Sequence, residues 1–486
     1  MTNRKVPKEC RFRQVRIIRV CLSKFRVASM KKIISFILFI CILISCVNCI
    51  SFSVSALSGT TGECSWQLDG KVLYINGNGK MADYQGEDIP WGNDFTEVII
   101  GEGVTEIGEF AFAYTSVSKV SLAESVEGIN FGAFLAAPIK EITFGENVKY
   151  IDAVAFEGSK VEKITFKGAT FLNSNAFDYC ENLTEIDFGN GGVRIGSCVF
   201  SGCSAIKKLN LETVEEIGGA AFGGCTAIKQ ITIGNEIKEI GGAAFSGCIS
   251  LESATIGDNV EKINDYAFAG CTGLKEVIFG AKMKEVGVEA FLDCPSLEKI
   301  VLNGNAVNFG YNAIYNTAYF NNEDNWEDGV LYLENVLVAV KDTFDGVYTI
   351  KKGTKIISSY AFLRTSSLAV LYVPNSMEKI ADSAFEECIS LLEVYYEGDE
   401  ETWLSLNENY FKTNNEALVY AYVNFQTDNV LGDCDGDSTL TTTDLAVLKL
   451  ILSGIEKRNN NLPDINQDGV FDVVDLATLK LMLANI

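Results

Sequence analysis

Between residues 104 and 396 the apolar positions of the chain recur in one arrangement. Phe stands at 112, 134, 156, 177, 200, 222, 245, 268, 291, 362 and 385, with Ile314 in the same slot. Adjacent slots lie 21 to 23 residues apart, except for a gap of 48 between Ile314 and Phe362. A repeat of this length predicts a solenoid, in which each coil buries its apolar side against the coils before and after it. An apolar residue sits five positions before each slot, as in Ile107 and Ile380. The next position is Gly, Asn or Asp in ten of twelve copies, Gly108, Asn130 and Gly241 among them, with Ser358 and Ala381 in the other two. These residue types tolerate positive φ, which predicts a tight turn at that position. The residue before the slot is Ala in eleven copies and Val199 in the twelfth. Small side chains there suit closely packed coils whose Phe rings point inward and stack. After the slot comes a period-two alternation, as in Leu274-Lys275-Glu276-Val277-Ile278-Phe279. It predicts one strand per coil, stacked in a parallel sheet at about 4.8 Å spacing. The long gap holds Gly329-Val330-Leu331-Tyr332 and Tyr348-Thr349-Ile350, and reads as an inserted hairpin or irregular coil over about 315–356.

The alternation also assigns the outward residues. One column runs Lys119, Glu141, Lys163, Glu185, Lys208, Gln230, Ser253, Glu276, Lys299. Opposite charges on neighbouring strands predict cross-strand pairs of roughly 0.2–1 kcal/mol each. The next column runs Ser121, Thr143, Thr165, Asp187, Asn210, Thr232, Thr255, Ile278, Val301, and changes past the gap to Tyr372 and Tyr395. Aromatic side chains supply large contact area and suit sugar rings. Tyr372 and Tyr395 are therefore a candidate ligand patch, against the plainer reading that they close the end of the sheet.

The repeat unit resembles the BspA-like type of leucine-rich repeat found in bacterial surface proteins. Trp66-Gln67-Leu68-Asp69-Gly70, Gly77-Asn78-Gly79-Lys80-Met81 and Pro90-Trp91 resemble that family's N-terminal cap, and Tyr396-Glu397-Gly398 with Trp403 its C-terminal cap. The resemblance implies ligand binding or adhesion, with diverse ligands, glycan or protein. It places a cap at 57–103, repeats at 104–396, and a second cap with a linker at 397–427.

From Asp428 the periodicity stops, and two matching segments follow 31 residues apart. The first offers oxygen donors at Asp433, Asp435, Asp437, Thr439 (through its carbonyl), Thr441 and Asp444; the second at Asp464, Asn466, Asp468, Val470 (through its carbonyl), Asp472 and Asp475. Positions 1, 3, 5, 7, 9 and 12 are the spacing of a calcium loop, and four carboxylates per loop would repel one another without a cation. Two bound Ca²⁺ ions are expected. Leu445, Leu448 and Leu452 recur as Leu476, Leu479 and Leu483, one apolar stripe per following helix. Both loops end in Asp rather than Glu, and the first lacks a preceding helical segment. The pattern over about 428–486 resembles a type I dockerin. That resemblance implies docking to a cohesin on a scaffolding protein, usually within a cellulose-degrading complex. Thr442-Thr443 and Val473-Val474 match the family's partner-contact positions. Ser438 replaces a usual Gly, and the two contact pairs differ, which bears against symmetric two-way docking. The fold class is thus a β-rich leucine-rich-repeat solenoid of parallel stacked coils, plus a small all-α calcium-binding dockerin of paired EF-hand-like loop–helix units.

Composition narrows the chemistry. Of 486 residues none is His, which removes His-based acid–base catalysis, Ser–His and Cys–His nucleophiles and His-ligated metals. A carboxylate-pair glycosidase survives that filter. Eleven of the 40 basic and one of the 64 acidic residues lie in 1–56, so the remainder carries a net charge of −34. Such a surface repels nucleic acid and anionic lipid. Lys31-Lys32, the apolar run Ile33 to Ile44 and Val54-Ser55-Ala56 read as a secretory signal cut after Ala56, with Met30 as an alternative start. Leu43-Ile44-Ser45-Cys46 as a lipobox and an uncleaved anchor are the rival readings, and each leaves the rest of the chain outside the cell. No transmembrane segment is expected in the mature chain, which reads as secreted and held on an extracellular or cell-surface complex. Cys180, Cys203, Cys225, Cys248, Cys271, Cys294 and Cys388 fall three after the slot, where other copies carry Thr115, Ala137, Ser159, Thr317 and Thr365. Buried free thiols acting as small hydrophobes fit this better than a metal or disulfide ladder. Signal, repeats and dockerin leave no stretch of about 150 residues for a catalytic domain. A non-catalytic docked binding or structural subunit is the leading expectation. The rivals are a polysaccharide hydrolase and a free adhesin with a calcium-stapled tail.

Overall fold

The computed structural model describes residues 58–85, 88–341, 346–406, 414–425, 442–452, 465 and 473–484. The targeting segment 1–56, and every calcium-loop residue named above except Asp444 and Asp475, lie outside the described residues.

The regular coils contribute a front strand after the Phe slot and, beyond the single strand predicted, a second strand of two to four residues before the next slot. The second strands form one parallel sheet of eleven, from Gly79–Lys80 to Asn308–Phe309. The front strands pair in parallel too, as in Lys163↔Glu185 and Gln230↔Ser253. Their sheet is interrupted three times among the described residues, after Lys119–Ser121, after Glu185–Asp187 and after Lys299–Val301. Parallel pairing begins upstream of the first repeat, with Val72↔Glu97, and extends past the last, with Glu393↔Tyr422. Both caps therefore continue the front sheet.

The Phe side chains are fully buried and stacked. Ring centroids lie 4.9 Å apart for Phe156 and Phe177, 5.4 Å for Phe222 and Phe245, and 5.2 Å for Phe268 and Phe291. These distances follow the strand spacing of the sheet. The Ala before each slot is buried because its carbonyl accepts the Phe N–H of the coil before it, as in Phe222 N to Ala244 O at 2.8 Å.

Positive φ does not fall where the Gly/Asn/Asp positions predicted it. It falls two residues before and two after the slot: Val154 and Gly158 around Phe156, Ala220 and Gly224 around Phe222, Ala243 and Gly247 around Phe245. Left-handed torsion on either side of the ring turns successive N–H groups toward the next coil, which completes the inter-coil ladder. Gly108 and Gly241 are small for another reason. A Cβ on Gly241 would come 2.3 Å from the Gly218 carbonyl carbon, and one on Gly108 would come 1.9 Å from the Ala82 oxygen. Close backbone approach, not torsion, selects the small residue there.

The long gap contains the short helix Ala318–Asn321, capped by the Thr317 hydroxyl, and a hairpin of Val330–Leu333 and Val336–Val340. The second hairpin strand pairs in parallel with Ile356–Ile357, so the stacking resumes on it. The Phe stack resumes with Phe362 and Phe385, 4.8 Å apart.

Candidate functional site

The charged outward column is largely structural. Lys163 Nζ lies 2.7 Å from Glu185, and Lys299 Nζ 2.5 Å from Glu276, as the alternation of sign predicts. Lys119 pairs instead with Glu97 on the preceding strand, at 2.6 Å. These exposed pairs are each worth less than about 1 kcal/mol.

Tyr372 and Tyr395 face each other across paired strands, with Thr349 and Asn424 in register on either side. Their rings stack at 4.8 Å and 16°. The Tyr395 hydroxyl donates to Glu393 Oε2 at 2.7 Å, and this bond, with burial and the Glu393 charge, pushes its pKa up to about 12. Burial and Glu393 raise Tyr372 as well. Both phenols stay protonated donors near neutral pH. Because the rings cover each other's faces, the pair offers ring edges and hydroxyls rather than a flat platform. Beside it the surface turns apolar: Tyr422 is 70% exposed, Leu392 67% and Ile389 85%. In regular coils the position of Leu392 holds Lys207, Lys229, Glu252 and Lys275. That switch from charge to hydrocarbon was visible in the chain, and reading only alternate strand positions overlooked it.

No described cysteine forms a disulfide bond. Cys203, Cys225, Cys248, Cys271 and Cys294 each aim Sγ at the Phe-slot carbonyl one coil earlier, at 3.1–3.3 Å. The slot therefore selects a small residue, and most copies use one that can donate; Thr115 bonds the Phe112 carbonyl of its own coil at 2.8 Å, while Ala137 fills the slot by size alone. Burial drives Cys203 and Cys225 well above the ordinary thiol pKa, so they are inert protonated groups. Among the described residues no three Cys, Asp or Glu converge to hold a metal.

At the C-terminus, helices Thr442–Leu452 and Val473–Leu483 pack together. Leu448, Leu479 and Ile465 are buried, with Leu445, Leu452, Leu476 and Leu483 packed against them. The stripes read from the sequence thus meet in one small core. Asp444 and Asp475, expected from the sequence as the last ligands of the two loops, lie in the first turns of these helices and are fully buried. Asp475 Oδ1 accepts the Ile465 N–H at 2.7 Å, which ties the start of the second loop to its end. Buried carboxylates in that position fit a hard cation held by the loop oxygens. Of the residues expected to contact a partner, Thr442 is exposed, Val473 is 71% exposed and Val474 48%; the Thr443 side chain lies outside the described set.

Residues 105–220, 193–321 and 347–423 match the BspA type leucine rich repeat region, in six copies. The chain belongs to that family. This BspA-type protein also carries a dockerin type I domain, matched over residues 431–484. No curated sequence matches it significantly. Among solved structures it is similar to a leucine-rich repeat protein from Bacteroides ovatus, at 21% identity over 75% of this chain and 98% of that one, TM-score 0.38. It is also similar to the pneumococcal vaccine antigen PcpA, at 15% identity over 76% and 98%, TM-score 0.36. A leucine rich cell surface protein from Faecalibacterium prausnitzii shows 22% identity over 72% and 98%, TM-score 0.33. The repeat family implies binding, and no catalytic family matches. The dockerin implies calcium binding and assembly through a cohesin. Both families are typically extracellular or surface proteins, and no described helix is long and apolar enough to cross a membrane.

Proposed function

We propose that this BspA-type protein is a secreted, non-catalytic binding subunit, anchored through its dockerin to a cohesin of a scaffolding protein in a polysaccharide-degrading complex. The observation that carries the reading is the dockerin match at the end of a chain whose other matched length is repeat. Two calcium ions hold the module, one on Asp433, Asp435, Asp437, Thr439, Thr441 and Asp444, the other on Asp464, Asn466, Asp468, Val470, Asp472 and Asp475. Cohesin is met by Val473 and Val474, with Thr442 and Thr443 as the alternative pair. Exposure of two adjacent valines at a helix start supports this, because exposed hydrocarbon in so small a module favours a contact. The repeat domain takes its ligand at the C-terminal end of the front face, around Tyr372, Tyr395 and Tyr422, where the ion-paired columns end.

Calorimetry of the full chain with a type I cohesin tests the anchoring. Binding is expected with calcium and lost with chelator. Val473→Ser with Val474→Ser should weaken it by about 2 kcal/mol or more while leaving calcium affinity unchanged. Undiminished binding would move the contact to the Thr442 side, and no binding to any cohesin would leave a calcium-stapled adhesin.

A further inference from the structure

A cavity of about 380 Å³ opens on the front face at the first interruption of the sheet. It lies between Lys119–Ser121 and Glu141–Phe144, strands that run side by side yet belong to separate sheets. The coils on its two sides differ in the size of one inward residue. The next three coils place Phe144, Phe166 and Phe188 in the inward column, stacked at 5.2 and 5.9 Å. The coil before them has Leu122 in that column, and both Leu122 and Val120 remain half-buried. Both line the opening, at the edge of the ring stack.

The rim is polar: Lys119, Ser121, Glu124, Glu141, Thr143 and Lys167. Lys167 Nζ lies 3.3 Å from Glu124 Oε1, a pair 43 residues apart that passes over an entire coil. Between residues 97 and 299 the other ion pairs join neighbouring coils, 22 or 23 residues apart. The coil beneath this bridge has Gly145, where a Cβ would come 2.6 Å from Glu124 Oε2. A missing side chain and a short one thus shape the same opening, and an ion pair holds its two sides.

We propose that this cavity binds a neutral saccharide of one or two sugar units. On the rim two ammonium and two carboxylate groups balance, and Glu97 paired with Lys119 adds one negative charge beside it, so the site does not draw an anion and draws a cation only weakly. Lysines donate, carboxylates accept, and the Ser121 and Thr143 hydroxyls do both, which is the mixture a ring of sugar hydroxyls requires. Val120 and Leu122 supply apolar surface for the C–H face of a ring. The volume sits near the lower end for ligand pockets, which suits one or two units rather than a polymer segment. The site is separate from the tyrosine end and does not depend on it.

The test uses the full calcium-loaded chain, with saturation-transfer NMR and calorimetry against cellobiose, lactose and chitobiose, and with gluconate and glucosamine as charged counterparts. At least one neutral disaccharide should bind with a millimolar dissociation constant, more tightly than either charged sugar. Thr143 is exposed, so Thr143→Trp can fill the opening without entering the core; it should weaken binding at least about tenfold, as should Glu141→Gln to a smaller degree. Tyr372→Ala should leave it unchanged. Absence of binding by all three disaccharides, equal binding by Thr143→Trp, or preference for a charged sugar would each overturn the proposal.

Discussion

Replacing Glu157 by Gln should stabilise the solenoid at neutral and alkaline pH and do nothing in acid. Asp178 is only 6% exposed. Its Oδ2 accepts from Asn175 Nδ2 at 2.7 Å, while its buried Oδ1 has no hydrogen-bond partner. Glu157 occupies the equivalent place one coil earlier. Burial, with the Asp178 charge behind it, pushes Glu157 up to about 7, and burial pushes Asp178 up to about 6 against the bonds from Asn175, Ser201 and the Tyr179 backbone. Both groups therefore hold protons in the folded state that the unfolded chain has released by about pH 5. Stability is highest where both states are protonated, falls as pH rises from about 4 to about 7, and stays reduced above that. At about 1.36 kcal/mol per unit, the Glu157 shift sets a ceiling near 3 kcal/mol, and solvent around a partly exposed carboxylate reduces it to about 1–2 kcal/mol. Gln keeps the shape and removes the charge. Urea unfolding followed by tryptophan fluorescence should give the variant a higher midpoint at about pH 8 and an equal one at about pH 4. A gain that is independent of pH, or largest in acid, would refute the reasoning, because neither can come from an ionisation lost.

Val154 has φ near 53°, so Val154→Gly should stabilise by about 0.5–1 kcal/mol, while Gly241→Ala should destabilise by more than about 2 kcal/mol through its contact with the Gly218 backbone; thermal melts of both variants check this. Cys225→Ala removes the Sγ contact to the Phe200 carbonyl at 3.1 Å and should cost about 2 kcal/mol in denaturant unfolding, and native Cys225 should resist alkylation until the chain unfolds. Chelation should remove two calcium ions per chain by calorimetry and melt Thr442–Leu452 and Val473–Leu483; Asp475→Ala should abolish one of the two binding events and leave the repeat transition in place.

The repeat register, the front strand of each coil and the inward Phe stack could be read from the chain because each depends on residues close together along it; the second strand of each coil could not, since its two to four residues are strand only by pairing with the coils on either side. Burial selects one apolar residue per coil at a fixed place, so the Phe and Ala slots announce the stack, and the loop oxygens announce a cation by their spacing alone. Torsion could not be read in the same way. Gly and Asn before the slot indicated a turn, yet left-handed φ falls on residues such as Val154, Ala220 and Tyr266, whose identity gives no hint of it. There the deciding term is the hydrogen-bond ladder to the next coil, which outweighs a local preference of about 1–2 kcal/mol per residue. Likewise the column of small outward residues gave no sign of the cavity, which forms only where residues of three coils, from Lys119 to Lys167, come together. The thiol–carbonyl contacts, the stacked tyrosine pair and the Glu157–Asp178 pair are also decided between coils. The sequence determined which residues each coil buries; only the stacking of coils decided which backbone angles, gaps and buried charges that burial creates.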